Sequence, residues 1–328
     1  MTSGMSFLRL LGSPRVRLAF NVISGLLVVG VGVVTTRHFI THGWPLHHAN
    51  VLGVLAAGAL FLAAFTFKAW GWQRLFNVED RPRTLTLAAA GGAATVTGIA
   101  LPGRCDEVVR IAVVRKLPGK SCAVKKVCLS LFLLGLVDNA ALAPFASVAA
   151  AIAAPSGLIR AGLIVVAVAG VAAMGVVLGL PHMLRIRRIV KYRIVGWVHA
   201  HAAPPREAAN SFVLVAVSWA LRVAAVFVLL NALSIGTSIP LALGFLIASA
   251  SAAALPIAPA GGVAQAGAGA ALLGAAGIHA SEAVAFAVAA QGLIVLAGAS
   301  ILVLTASLHL ASKLRPLLVR SVALAAIR

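Results

Sequence analysis

Six long apolar stretches recur along the chain, at residues 18–36, 51–70, 127–153, 158–180, 211–233 and 281–306. A bilayer core is about 30 Å thick, and a helix crosses it with about 20 residues, so each stretch is long enough to span a membrane. Water is therefore not the main solvent of this chain. Composition agrees: 61% of residues are hydrophobic and 10% charged, against roughly half and a quarter in soluble domains. Mean hydropathy is +1.05. The fold class this predicts is all-α, a polytopic helical membrane protein forming a single integral membrane domain over residues 1–328.

A formal charge of +20 raises the question of nucleic acid. The basic residues fall between apolar runs, where cytoplasmic loops facing anionic lipid keep them, and no basic soluble domain interleaved with aromatics is present, so no nucleic-acid partner is expected. Arg9, Arg15 and Arg17 precede the first apolar run as in a signal peptide. That run is too long for a signal h-region and lacks an A-x-A exit, which predicts an uncleaved first span. Cys105, Cys122 and Cys128 form no even framework and read as free thiols.

Two further apolar stretches, 85–101 and 240–277, are interrupted by proline and glycine, as "ALPGR" and "ALPIAPAGG". If 85–101 crossed completely, Lys68, Arg74, Arg81 and Arg83 would face the opposite side from Arg104, Arg110, Arg115, Lys116, Lys120, Lys125 and Lys126, against the positive-inside rule. A segment that dips in, turns at Pro102 and Gly103 and returns as a helix keeps both clusters cytoplasmic. The remaining basic clusters, at 185–206 and 313–328, then fall inside with both termini, leaving Arg37 and Arg160 outside. The second stretch is either one hairpin or two short spans. The order span, span, hairpin, span repeats over 18–153 and again, inverted, over 158–306, the sign of an alternating-access carrier whose site lies where the two breaks meet. Residues 307–328 read as a basic amphipathic tail at the cytoplasmic surface, as does the "RIRRIVKYR" loop.

The chain has only seven acidic residues, and two of them, Asp106 and Glu107, follow the first break directly in "LPGRCDEVVR". Irregular backbone at membrane depth must face protein or a wet cavity, which places Pro102 and Gly103 on one. Asp106 and Arg110 stand four apart in the favourable orientation for an intrahelical pair, with Glu107 three from Arg110. Arg104 is left over. It either joins the helix start in holding an anionic phosphate or, with the acids, balances the helix dipole and reaches for headgroups.

Asp138, in "GLVDNAALAP", lies deep in its span, where a carboxylate costs about 2.5–3.5 kcal/mol to insert. Arg222, in "SWALRVAAV", is the cation expected to meet it across the repeats, either as a static pair or in a passage shared with substrate. In the second break, Pro256, Pro259, Gly261 and Gly262 precede Gln265, which is placed either to touch a headgroup or to bond between helices. Gln291 has the same two readings. The histidines 38, 42, 47 and 48 have no acid or cysteine near them in sequence, so no metal and no cofactor is expected. Enzyme signatures such as G-x-S-x-G, a P-loop or H-E-x-x-H are missing.

The run Pro102-Gly103-Arg104-x-Asp106-Glu107-x-x-Arg110, a following span bearing Asp138, and then Pro256-x-x-Pro259-x-Gly261-Gly262-x-x-Gln265 resembles the lysylphosphatidylglycerol synthase transmembrane family over nearly the whole chain. The resemblance implies a flippase-like membrane domain, without the soluble aminoacyl-transfer domain, that moves an anionic or modified phospholipid between leaflets of a bacterial plasma membrane. Pro102, Arg104, Glu107, Arg110 and Asp138 match its first pattern, and Pro256, Pro259 and Gly261 its second. The chain departs from the family at Asp106 (usually Gly), in "LLGLVD", which lacks the frequent Glu-Arg, and at Gln265 (often Glu). Membrane lipids are the expected partners. The alternatives are a scaffold or accessory subunit for a lipid or cell-envelope enzyme, and, more remotely, a lipid-modifying enzyme.

Overall fold

A computed structural model describes residues 49–100, 105–116, 123–152, 157–183, 203–254 and 261–325, with isolated positions at 37, 40, 41, 46 and 197. The described residues form nine α-helices and no strands. They are α1 (Val51–Arg74), α2 (Thr84–Ala100), α3 (Cys105–Lys116), α4 (Val124–Ile152), α5 (Gly157–Met183), α6 (Pro205–Ala232), α7 (Ile239–Ala254), α8 (Gly261–Ala275) and α9 (Ala280–Ala325). Five helices, α1, α4, α5, α6 and α9, contain windows long and apolar enough to cross a membrane. They coincide with five of the six expected spans; the first, 18–36, lies outside the described residues. The chain is a polytopic helical membrane protein.

Hydrophobicity cannot hold helices together where the solvent is itself hydrocarbon, so close packing of small residues takes over. α1 and α6 show how. They run antiparallel: Gly53, at the start of α1, faces Ala232 at the end of α6, while Gly71 faces Val215 and Ser211 near the other end. A Cβ on either glycine would fall 2.7–2.8 Å from its neighbour. Between them Ala57 and Ala64 are fully buried, and the Ser218 hydroxyl donates to the Ala64 carbonyl at 2.8 Å. Gly170 of α5 likewise lies against the Asn139 carbonyl and Ala143 of α4.

The two interrupted stretches become two pairs of shorter helices. α2 packs along α3, and α7 along α8. With 17, 12, 16 and 15 residues, these arms are about 18–26 Å long and fall short of a full crossing. The connections at 101–104 and 255–260, and with them Pro102, Gly103, Arg104, Pro256 and Pro259, lie outside the described residues. α2 crosses α9 where Gly92 and Gly298 meet backbone to backbone. α7 is tied to α9 by an edge-to-face contact of Phe245 with Phe286, ring centres 5.0 Å apart. α8 touches both α9 and α2, so the two pairs meet.

α9 runs unbroken from Ala280 to Ala325, 46 residues or about 69 Å, so the stretch expected to form a tail continues the helix of the last span through residue 325. After Gly298 this segment contains no glycine to end a helix. The basic 184–196 loop and the four-histidine loop fall outside the described residues.

Candidate functional site

Three spans bring charge into the bundle interior. Lys68 sits six residues before the end of α1, about 9 Å inside it. Asp138 occupies the fifteenth position of the 29-residue α4. Trp219 and Arg222 lie one turn apart on α6. Lys68 Nζ donates to Asp138 Oδ2 at 2.8 Å, and Trp219 Nε1 donates to Asp138 Oδ1 at 3.1 Å. Each carboxylate oxygen thus has a donor. The side chains of Lys68 and Asp138 keep 21% and 26% of their surface exposed, so the pair borders accessible space instead of being sealed in the core.

Of the two readings of Asp138 and Arg222, this corrects the static pair. Lys68 takes the carboxylate. Its four-carbon stem carries the ammonium well away from its own backbone position, which a count of residues from the helix end does not register. Arg222 instead stacks, its guanidinium carbon 4.9 Å from the centre of the Trp219 ring and 5.8 Å from that of Phe65. Both distances suit a cation–π contact. Arg222 is half-buried, and Asp138 acts on it electrostatically without a direct salt bridge among the described residues.

The helix after the first break joins this group. Arg110 Nη2 lies 3.5 Å from Asp106 Oδ2, the expected i,i+4 pair, and Arg110 is close enough to act electrostatically on both Lys68 and Arg222. Its Nε is buried without an acceptor among the described residues. Glu107 neighbours this pair on the half-buried part of α3. Three cations, Lys68, Arg110 and Arg222, therefore lie among three carboxylates, Asp138, Asp106 and Glu107.

Gln265 is not part of this group. It accepts a long hydrogen bond from Gln291 Nε2 at 3.5 Å, the interhelical reading of both glutamines. Gly261 and Gly262 open α8. Nearer the end of α1, a second polar layer ties the α1–α2 link to its neighbours. Glu207, in the first turn of α6, sits 3.3 Å from both Arg74 and Arg81. Lys126 of α4 reaches Asp80 at 2.5 Å, and Trp72 donates to Ser130 at 3.0 Å. Sequence reasoning missed Lys68, Trp219, Asp80 and Glu207 as partners. The signal available was scarcity: with so few acids among so many bases, every acid near a span is a candidate anchor for a cation.

Among the described residues no three His, Cys, Asp or Glu side chains gather as metal ligands. Cys128 is an exposed free thiol.

An all-helical membrane bundle with short paired helices and a charged, partly accessible interior defines the class. The chain belongs to the family described as the lysylphosphatidylglycerol synthase TM region, whose model matches residues 10–302. Membership gives it a lipid-related role in the membrane. No curated protein and no solved structure matches it.

Proposed function

We propose that this protein moves a phosphate-bearing polar lipid between the two leaflets, without ATP and without chemical change to the lipid. The observation that carries the reading is the charged cluster itself. An interior group of Lys68, Asp138, Arg222 and Arg110 is costly among apolar helices, and its retained exposure supports a headgroup route along it. Arg110 and Arg222 engage the phosphate, with Arg104, which directly precedes α3 in the sequence, as a further contact. Asp106 and Glu107 restrain Arg110 until the headgroup arrives.

In this reading α2–α3 and α7–α8 are re-entrant hairpins in two inverted repeats. They enter from opposite faces of a bacterial plasma membrane, and both termini are cytoplasmic. Short arms that touch one another support that arrangement, because discontinuous helices meeting within the bilayer are the usual site of alternating-access carriers.

Reconstitution into liposomes with tail-labelled phospholipids tests it. Headgroup movement that is lost in Arg110→Ala is the expected result. Formation of a modified lipid without movement would make the protein an enzyme, and neither outcome would leave the scaffold or accessory-subunit reading in its place.

A further inference from the structure

Resting on the translocation reading above, we propose that Trp219 and Phe65 are positioning residues for it: their two rings form the seat that fixes the Arg222 guanidinium beside the Lys68–Asp138 pair.

Phe65 and Lys68 stand three apart on α1, and Trp219 and Arg222 three apart on α6, so on each helix an aromatic ring and a cation share one face. The two units are matched. Phe65 and Trp219 are 154 residues apart, as are Lys68 and Arg222, and at the same separation the Ser218 hydroxyl donates to the Ala64 carbonyl. That bond sets the stagger of α1 against α6 at the level of the two rings. Around it the contacts close into a loop across three spans. Lys68 donates to one oxygen of Asp138 and Trp219 to the other, Arg222 lies over Trp219 and Phe65, and α1 itself joins Phe65 back to Lys68.

The two cations of the loop are held by different means. Lys68 is held by the carboxylate at 2.8 Å. Arg222 has no direct salt bridge among the described residues, and a long side chain left to itself spreads over many rotamers. What it stacks on therefore decides where it sits. Both rings are firm supports, with Trp219 5% and Phe65 8% exposed. Trp219 is further restrained because its Nε1–H, bonded to Asp138 at 3.1 Å, ties the polar edge of the indole. Through that ring the position of Asp138 is passed on to Arg222. A planar guanidinium stacks on a ring face as an ammonium does not, so Arg suits the stacked place and Lys the place that reaches for the carboxylate.

The test is a double-mutant cycle on the full chain in phosphatidylcholine liposomes, following leaflet exchange of acyl-labelled phosphatidylglycerol. Binding of the same lipid to the detergent-solubilised protein is followed by native mass spectrometry, and the unfolding temperature is taken for every variant. Trp219→Leu should slow exchange at least about tenfold, as misplacing a contacting group does, and Arg222→Gln should do the same. Residues that act only through Arg222 add nothing once it is gone, so the double variant should match Arg222→Gln within about twofold, whereas independent losses multiply. Trp219→Phe restores a ring face without the N–H and should run faster than Trp219→Leu. Should Trp219→Leu fail to fold, Phe65→Leu takes its place in the cycle, with the same coupling to Arg222 expected. A parental rate in the ring variant, multiplied losses in the double variant, or a Trp219→Phe as slow as Trp219→Leu would overturn the seat and leave translocation standing. If the parent moves no lipid, translocation falls and the same cycle on phosphatidylglycerol binding decides the seat. Binding weakened by the ring variant, and no further in the double variant, keeps it; any other pattern overturns it as well.

Discussion

The two paired-helix elements are built by the same device, an apolar stretch interrupted by proline and glycine, yet they carry opposite chemistry. α3 holds Asp106, Glu107, Arg110, Arg115 and Lys116 within twelve residues. α7 and α8 hold no charged residue at all. Two of their polar side chains bond within the bundle: Ser251 donates to its own helix at Ile247, and Gln265 meets Gln291. The first element therefore extends a charged interior that Lys68, Asp138 and Arg222 begin. The second closes against it by packing. Similar topology does not make the two halves chemically equivalent, and the consequences of mutation should divide along the same line.

The largest effect should come from the charged side. Asp138→Ala leaves Lys68 near Arg110 and Arg222 without the carboxylate it binds, a loss on the order of 3 kcal/mol in stability. Thermal unfolding in detergent should register it, and the double variant Lys68→Met, Asp138→Leu should recover most of it. An Asp138→Ala protein as stable as the parent would show that the cluster is held by water alone, erasing the energetic side of the comparison.

Next come the glycines that seat each pair. A Cβ at Gly92 would lie 2.4 Å from the Gly298 carbonyl oxygen, backbone against backbone, whereas a Cβ at Gly269 would lie 2.4 Å from Phe245 Cε2 and 2.7 Å from Ser249 Oγ, both side-chain atoms. Side chains can turn aside and backbone cannot. Gly92→Ala should accordingly cost more than Gly269→Ala, about 1–3 kcal/mol for the former. Unfolding temperatures of the two variants give the order directly, and the reverse order would mean that the seating of α2 on α9 is the looser of the two.

Helix content and the positions of five spans were legible because they depend on the length of apolar runs, a property of the sequence alone. The Asp106–Arg110 pair was legible for a similar reason, since four-residue spacing on one helix fixes it. Contacts between spans were not. Asp138 was recognised as needing a cation, but the choice between Lys68 and Arg222 depends on how α1 and α6 are rotated and staggered against α4. That register is set by small-residue seams such as Gly53 on Ala232 and Gly71 on Val215, and one sequence does not say which glycine meets which neighbour. Once the seam aligns α1 with α6, Phe65 comes under Arg222 and Lys68 is left free to reach Asp138.

Arg110→Gln separates binding from stability. Its pair with Asp106 is intrahelical and partly exposed, worth about 0.3–0.5 kcal/mol, so the fold should survive with an unfolding temperature near that of the parent. Translocation of a labelled anionic phospholipid should fall by at least about tenfold, on the order of 1.4 kcal/mol or more in the transition state. A rate within about twofold of the parent, given that constant as reference, would move the phosphate contact away from α3 and remove the functional half of the comparison.

The smallest effect should come from the uncharged side, and it is the sharpest test of the asymmetry because it predicts that little happens. At 3.5 Å the Gln291–Gln265 bond is at the weak limit of hydrogen bonding, and such bonds between membrane helices average about 0.6 kcal/mol. Gln265→Leu also keeps the side chain's bulk in a half-buried position, so packing of α8 on α9 should be maintained. Stability should change by no more than that figure, and lipid movement should stay at the parental rate where Arg110→Gln loses it. Should Gln265→Leu instead slow movement as severely as Arg110→Gln, the headgroup must pass α8 as well as α3, and the second pair would be part of the passage despite carrying no charge.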